Sequence, residues 1–224
     1  PIPGRQPGHY VSIGLTGPDG KKLIRRPYSL SQSLNSEVDP DLLELLIIRV
    51  PEGNLTPLLF DQGEGDRLFV RSKMVGTYLL PELGPDMTII LASTGTGVAP
   101  HMTMLETCVN TCRQVVMMEC VRYGAELAYA GQIREFQKTH PNLVYISLVT
   151  RQGSPKRYIQ DYFRDGILQK EYNVTIAPEN THVFACGNPA MIGIPKEDRK
   201  TGQLSYDTSG GLVEILTSRF GLSI

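Results

Sequence analysis

The sequence has only four cysteines, carries almost no net charge and contains none of the usual metal-binding spacings, so several ways of building and using a protein are closed to it. Cys108, Cys112, Cys120 and Cys186 form no C-x-x-C pair, which argues against a disulfide scaffold or a zinc site. Cys108 and Cys112, four apart on an expected helix, read as small buried apolar residues. His9, His101, His140 and His182 are scattered and include no H-E-x-x-H. A formal charge of -1 gives no general pull towards nucleic acid or anionic membrane, so a charged partner must be met by a local patch. No apolar run approaches the roughly 18 residues of a membrane span. The expectation is a soluble, cytoplasmic, monomeric protein with neither nucleic acid nor membrane as partner. Internal repeats and low-complexity segments are also absent.

The 224 residues, 41% of them hydrophobic, suffice for one large or two small packed domains. Two halves differ in punctuation. Up to about residue 87, HYVSIGL, KKLIRRPYSLS, LLELLIIRV and RLFVRS are strand-like runs broken by turn signals such as GPDG and QGEGD, which suggests a small antiparallel sheet or barrel. From residue 88, TIILAS, VVMMECV, VYISLVT and THVFACG are near-continuous apolar runs, as strands buried on both faces of a parallel sheet require. Helix-compatible stretches lie at 98 to 112, 125 to 139, 156 to 170 and 211 to 220, completing a βαβ series. PELGPD, residues 81 to 86, is the expected hinge.

In open parallel sheets ligands bind at the carboxyl ends of the strands, which directs attention to Ser93 to Gly97, Arg122, Arg151 and Gly187 to Pro189. Gly95 and Gly97 flank Thr96 between a strand and a helix, where a backbone can approach a phosphate and free N-H groups are available. Pro100 fits the first helical turn. The turn lacks the G-K-[ST] of a mononucleotide loop and the third glycine of the dinucleotide fingerprint, so it is either an anion site or merely a tight connection. Arg122, Arg151 and Arg157 either grip a phosphate together or are three solvated arginines. Arginine at a strand end suits the 2'-phosphate of NADP better than the ribose hydroxyls of NAD. Arg26-Pro27-Tyr28-Ser29 combines a charge, a flat ring and a hydroxyl, or is a plain strand.

Taken in order, PGHY at 7 to 10, RPYS at 26 to 29, VPEGNLTP at 50 to 57, VGTYLL at 75 to 80, GTGVAP at 95 to 100, VRYGAEL at 121 to 127, TRQGS at 150 to 154 and CGNPAMIG at 186 to 193 resemble the ferredoxin-NADP reductase family, particularly its bacterial type. The resemblance implies an antiparallel flavin-binding β-barrel over residues 1 to 84, a parallel-sheet, Rossmann-like NADP-binding α/β domain over 85 to 224, and FAD held between them. It also implies further barrel strands before PGHY. Carried over, Arg26 contacts the FAD phosphates, Tyr28 stacks on the flavin, Ser29 bonds near its N5, and Pro27 sits within the same stretch. Asn54, Leu55 and Thr56 match the pyrophosphate-binding segment. Gly95, Thr96 and Gly97 lie under the NADP pyrophosphate and near both rings. Arg122, Arg151 and Arg157 surround the 2'-phosphate, and Gly187, Asn188 and Pro189, after Cys186, line the nicotinamide pocket. Ser29 and Cys186 are the groups expected beside the reacting atoms.

The function this implies is hydride transfer between NADPH and flavin, with single electrons exchanged with ferredoxin or flavodoxin. Both carriers are acidic. Lys21, Lys22, Arg25 and Arg26, extended by Arg71 and Lys73, are either the patch that meets such a carrier or a solvated hairpin. The rival readings are an NADH-using flavin reductase serving an oxygenase or other acceptor, and a nucleotide-binding module without catalysis.

Overall fold

The computed structural model describes residues 4–32, 42–153, 155–198, 200–206 and 209–223. The start of the chain and Ser154 of TRQGS lie outside the described residues. The chain resolves into two compact units: Pro1–Pro81 with Ala99–Glu106, and Glu82–Val98 with Thr107–Ile224.

The first unit contains β1 (Tyr10–Thr16), β2 (Leu23–Ser29), a short helix α1 (Thr56–Phe60) and β3 (Phe69–Val70). The strands form an antiparallel sheet of order β2-β1-β3, with Val11 opposite Tyr28 and Ile13 opposite Arg26 and Val70. Val11, Ile13, Leu30 and Met74 make its buried centre, and Tyr28, Leu43, Leu45, Ile47 and Leu59 pack around them. LLELLIIRV does not form the expected strand: its only bridge joins Leu45 to Leu30. The cause lies one pairing away. Gln32 accepts the Glu44 N-H and donates to the Leu42 carbonyl, and Ser31 bonds the Glu44 carboxylate. The Ser31 N-H still bonds the Glu44 carbonyl at 3.1 Å, and beyond it the Gln32 side chain takes the backbone groups of Glu44 and Leu42 that a continued ladder would use.

The second unit runs β4 (Thr88–Thr94), α2 (Val98–Thr111), β5 (Gln114–Val121), α3 (Ala130–Thr139), β6 (Leu143–Val149), α4 (Ile159–Arg164), α5 (Ile167–Tyr172), β7 (Thr181–Cys186), α6 (Pro189–Ile192), β8 (Lys196–Glu197), β9 (Leu204–Ser205) and α7 (Leu212–Phe220). Part of α2 is counted with the first unit. The four long strands are parallel in the order β6-β5-β4-β7. Their runs are continuous because both faces are covered. On one face, Ile90, Val116, Met118 and Ile146 pack against Phe163, Leu168, Leu212 and Leu216 of α4, α5 and α7. The stretch expected to be one helix over 156 to 170 is instead split into α4 and α5, because Gly166 between them is left-handed, with φ of 67°. A small antiparallel pair, β8 and β9, had no signal in the sequence.

One polar group breaks the apolar pattern of the sheet. Glu119 in β5 is fully buried, receives the Tyr145 hydroxyl on Oε2 at 2.7 Å, and leaves Oε1 without a partner among the described residues. Burial raises its carboxyl above the ordinary range, partly opposed by the tyrosine bond. A carboxyl raised on folding contributes stability at acid pH that is lost as pH rises. Glu119→Gln keeps an acceptor for Tyr145 and removes the charge. The variant is expected to melt a few degrees higher at pH 8, about what 1 kcal/mol moves in a domain of this size, with a smaller gain at pH 5. Thermal unfolding at the two pH values checks it.

Candidate functional site

The carboxyl ends of the parallel strands are aligned by register: Ser93 of β4 lies opposite Glu119 of β5 and Cys186 of β7. The loops leaving those strands therefore emerge side by side. After β4, Gly95–Gly97 form a single 3-10 turn that feeds straight into α2, and the Val98 N-H closes on the Gly95 and Thr96 carbonyls. Pro100 falls in the first turn of α2, where its missing donor costs nothing.

Two glycines allow this turn to meet the loop after β7. A Cβ on Gly97 would lie 2.2 Å from the Cys186 carbonyl oxygen, and one on Gly187, where φ is 131°, would lie 2.1 Å from Thr94 Oγ1. Thr94 Oγ1 accepts the Asn188 N-H at 2.6 Å and so joins the two loops. Asn188 then caps α6 by accepting the Ala190 N-H at 2.9 Å, with Pro189 at the helix start. Gly187, Asn188 and Pro189 are exposed and Thr96 is half-buried. Cys186 is also half-buried, and burial raises its thiol above the ordinary range, so it is protonated at neutral pH rather than a nucleophilic thiolate.

The arginines gather on the neighbouring strand ends. The Arg151 N-H bonds the Arg122 carbonyl at 2.9 Å, and Gln152 Oε1 takes the Gly124 N-H at 2.7 Å, pinning the loops after β5 and β6 together. Glu126 turns the first loop by accepting the N-H groups of Arg122 and Tyr123 at 2.8 and 3.2 Å. The Arg151 guanidinium lies over the exposed Tyr123 ring, 6.0 Å from its centroid. Neither Arg122 nor Arg151 has an ion-pair partner among the described residues. Arg157 differs: its guanidinium turns towards Glu171 of α5 at 3.9 Å, with both side chains largely exposed. Such a pair is worth little and would yield to a stronger anion.

In the first unit, Arg26 and Pro27 are exposed on β2, and Tyr28 and Ser29 are half-buried. The Arg26 guanidinium donates to the Arg25 carbonyl at 2.8 Å and meets no carboxylate among the described residues. Burial raises the Tyr28 hydroxyl, with the Arg26 charge opposing, so the phenol stays neutral. Between Val50 and Thr56 the chain closes on itself. Thr56 Oγ1 accepts the Val50 N-H at 2.9 Å and donates to the Val50 carbonyl at 3.1 Å. Leu55 is buried and anchors the loop. The side chains of Leu55 and Thr56 are thus committed to the protein, which leaves the side chain of Asn54 and the backbone N-H groups at the start of α1 to meet a ligand.

Residues 91–197 match the oxidoreductase NAD-binding domain family. A ferredoxin-NADP reductase of Pseudomonas aeruginosa is 34% identical over 197 residues, covering 83% of this chain and 74% of that protein. The flavodoxin/ferredoxin-NADP reductase of Escherichia coli is 30% identical over 191 residues, covering 83% and 75%. The chain belongs to the ferredoxin-NADP reductase family. Among solved structures, a ferredoxin NADP+ reductase from Neisseria gonorrhoeae with bound FAD and NADP superposes with a TM-score of 0.69 at 20% identity, covering 89% of this chain and 84% of that one. The fold is shared.

For an oxidoreductase of this family, Thr94 is the residue that sequence reasoning left unassigned. Its position beside GTG was visible, but its bond to Asn188 spans 94 residues and has no local signal. Tyr123, under Arg151, was likewise unmarked. Among the described residues no group of histidine, cysteine and acid side chains is arranged to hold a metal, and no helix is long and apolar enough to cross a membrane.

Proposed function

We propose that the chain binds FAD through its antiparallel unit and NADP(H) through its parallel unit, and that it moves electrons between NADPH and ferredoxin or flavodoxin. FAD, when bound, supplies the redox chemistry, taking up a hydride and giving electrons singly. The protein's own residues hold, aim and neutralise charge.

The observation that carries the nucleotide half is the junction of the loops after β4 and β7 at Gly97 and Gly187, with Arg122 and Arg151 on the neighbouring loops and no ion-pair partner for either among the described residues. Gly95, with nothing within 4 Å of where a Cβ would stand, permits a close backbone approach to a pyrophosphate at the turn that leads into α2. Arg122 and Arg151 offer planar, permanently charged forks to a 2'-phosphate. Arg157 joins them by leaving Glu171. The residues also fit FAD: Arg26 is a cation with no acid partner among the described residues, and neutral Tyr28 is a flat ring with a donor. Ser29 follows it on β2 as a hydroxyl beside the same site. Thr96 and Cys186 shape the nicotinamide side, where burial disfavours the Cys186 thiolate. Lys21, Lys22, Arg25, Arg26, Arg71 and Lys73 are all exposed, as a patch that steers an acidic carrier must be. Residues 1 to 84 and 85 to 224 would then be the two cofactor domains.

Two measurements test this. Protein carrying FAD should lose its flavin absorption on addition of NADPH in the absence of oxygen. Arg151→Gln should weaken NADPH by about 1.5 to 3 kcal/mol, roughly ten- to a hundredfold, with NADH nearly unchanged. Equal losses for the two nucleotides would overturn the 2'-phosphate role and favour an NADH-using reductase.

A further inference from the structure

A cavity of about 330 Å³ lies in the second unit among α4, α5, α7 and the segment 174–176. Its size falls within the range of ligand pockets, at the small end. Phe163, Leu168 and Val174, all buried, give it an apolar floor, and Phe163 meets Phe220 edge-on with ring centroids 6.4 Å apart. Among its polar lining residues are two cations. Lys170 Nζ donates to the Asp165 carbonyl at 2.9 Å, and the Arg219 guanidinium donates to the Arg164 carbonyl.

Those two bonds account for why the cations stay there. They cap the last carbonyls of α4, where a helix end carries partial negative charge. They do not use the cations up. Each bond takes one donor, from an ammonium that has three and a guanidinium that has five. Neither Lys170 nor Arg219 has an ion-pair partner among the described residues. Of the other polar lining side chains, Gln169 and Thr175 bond to each other at 3.1 Å, and with Tyr162 they bring no carboxylate to the cavity. An apolar chamber with two unneutralised cations among its lining matches one chemical form, an anionic head on an apolar tail.

We propose that this cavity is a binding site for a medium-chain carboxylate, with the tail against Phe163, Leu168 and Val174 and the head between Lys170 and Arg219. The site is built entirely from α4, α5, α7 and the segment following α5, whereas the proposed nucleotide site uses the loops after β4, β5, β6 and β7. The inference therefore stands or falls independently of the oxidoreductase reading.

Sodium octanoate is the probe, titrated into the full chain and followed by calorimetry and by ligand-observed NMR. Octanoate should bind, hexanoate roughly fifteenfold more weakly because each of its two missing methylenes is worth about fourfold, and acetate not measurably. Octanol, which keeps the tail and lacks the charge, should bind about tenfold or more weakly than octanoate. Arg219→Gln should weaken octanoate to the level of octanol and leave octanol unchanged. Thr175→Trp, at an exposed lining residue, should block both. Saturating NADP+ should not displace octanoate. Absence of octanoate binding, equal affinity for octanol, insensitivity to both substitutions, or competition by NADP+ would each overturn the proposal. Because Arg219 and Lys170 both also cap α4, each variant is checked for its fold by circular dichroism, and a folded Lys170→Gln variant with unchanged octanoate affinity also counts against the proposal.

Discussion

Gly187→Ala is expected to cost about 3 to 5 kcal/mol of stability and to reduce NADP+ affinity by roughly a hundredfold or more. Two penalties combine. The residue has φ of 131°, which L side chains rarely adopt, and its new methyl would sit 2.1 Å from Thr94 Oγ1, 2.6 Å from the Thr94 carbonyl oxygen and 2.9 Å from its nitrogen. Two of those atoms are backbone at the end of a fully packed central strand, so they cannot step aside. The same methyl would push away the hydroxyl that receives the Asn188 N-H, and the two loops would separate. Gly95→Ala is the matched control. Its φ is 54° with nothing within 4 Å of the added Cβ, so only the left-handed backbone penalty of about 1 to 2 kcal/mol applies. Urea unfolding of both variants, with NADP+ titration of Gly187→Ala, decides the matter. Closely similar behaviour of the two would mean that the contact with Thr94 is unimportant.

The second large effect is on pH. His101, in the first turn of α2, is fully buried, shares a 2.9 Å hydrogen bond between Nε2 and the Tyr78 hydroxyl, and leaves Nδ1 without a partner among the described residues. Burial pushes its imidazole down from an ordinary 6.5 to about 3. The unfolded chain takes up a proton below 6.5, while the folded chain refuses it until about 3. Stability from this group is therefore complete above pH 6.5 and is lost as pH falls through that window, by up to about 5 kcal/mol in all. His101→Gln retains a partner for Tyr78 and cannot titrate. Urea unfolding at a series of pH values should show the wild type losing stability towards pH 4 more steeply than the variant. Parallel curves would show that His101 takes up its proton without loss of the fold. Glu119 acts in the opposite sense, losing stability as pH rises, so substitutions at the two residues should tilt the pH profile in opposite directions.

Legibility in the sequence followed the range of the interactions involved. TIILAS, VVMMECV, VYISLVT and THVFACG became β4 to β7 because a strand covered on both faces must be apolar throughout, and that is a local property. LLELLIIRV was equally apolar and formed no more than a bridge to Leu30 and one backbone bond from Ser31, because the Gln32 side chain takes the next backbone groups in place of a ladder. The expected helix over 156 to 170 was interrupted at Gly166, and there the D-G pair was a signal that could have been weighed. Of the three arginines, sequence position could not distinguish Arg157 from Arg122 and Arg151. Only the fold turns Arg157 towards Glu171.

By itself the sequence determined the two kinds of unit, the family, and the chemical types brought to the strand ends: glycines, arginines and a threonine pair. These are set by periodicity and local motif. Tertiary structure decided which of them meet. In a parallel sheet the register of neighbouring strands fixes where every following loop begins, so Ser93, Glu119 and Cys186 come level and their loops are forced together. Only then does Thr94 reach Asn188, and only then must Gly97 and Gly187 lack side chains, because another backbone already fills the space each Cβ would need.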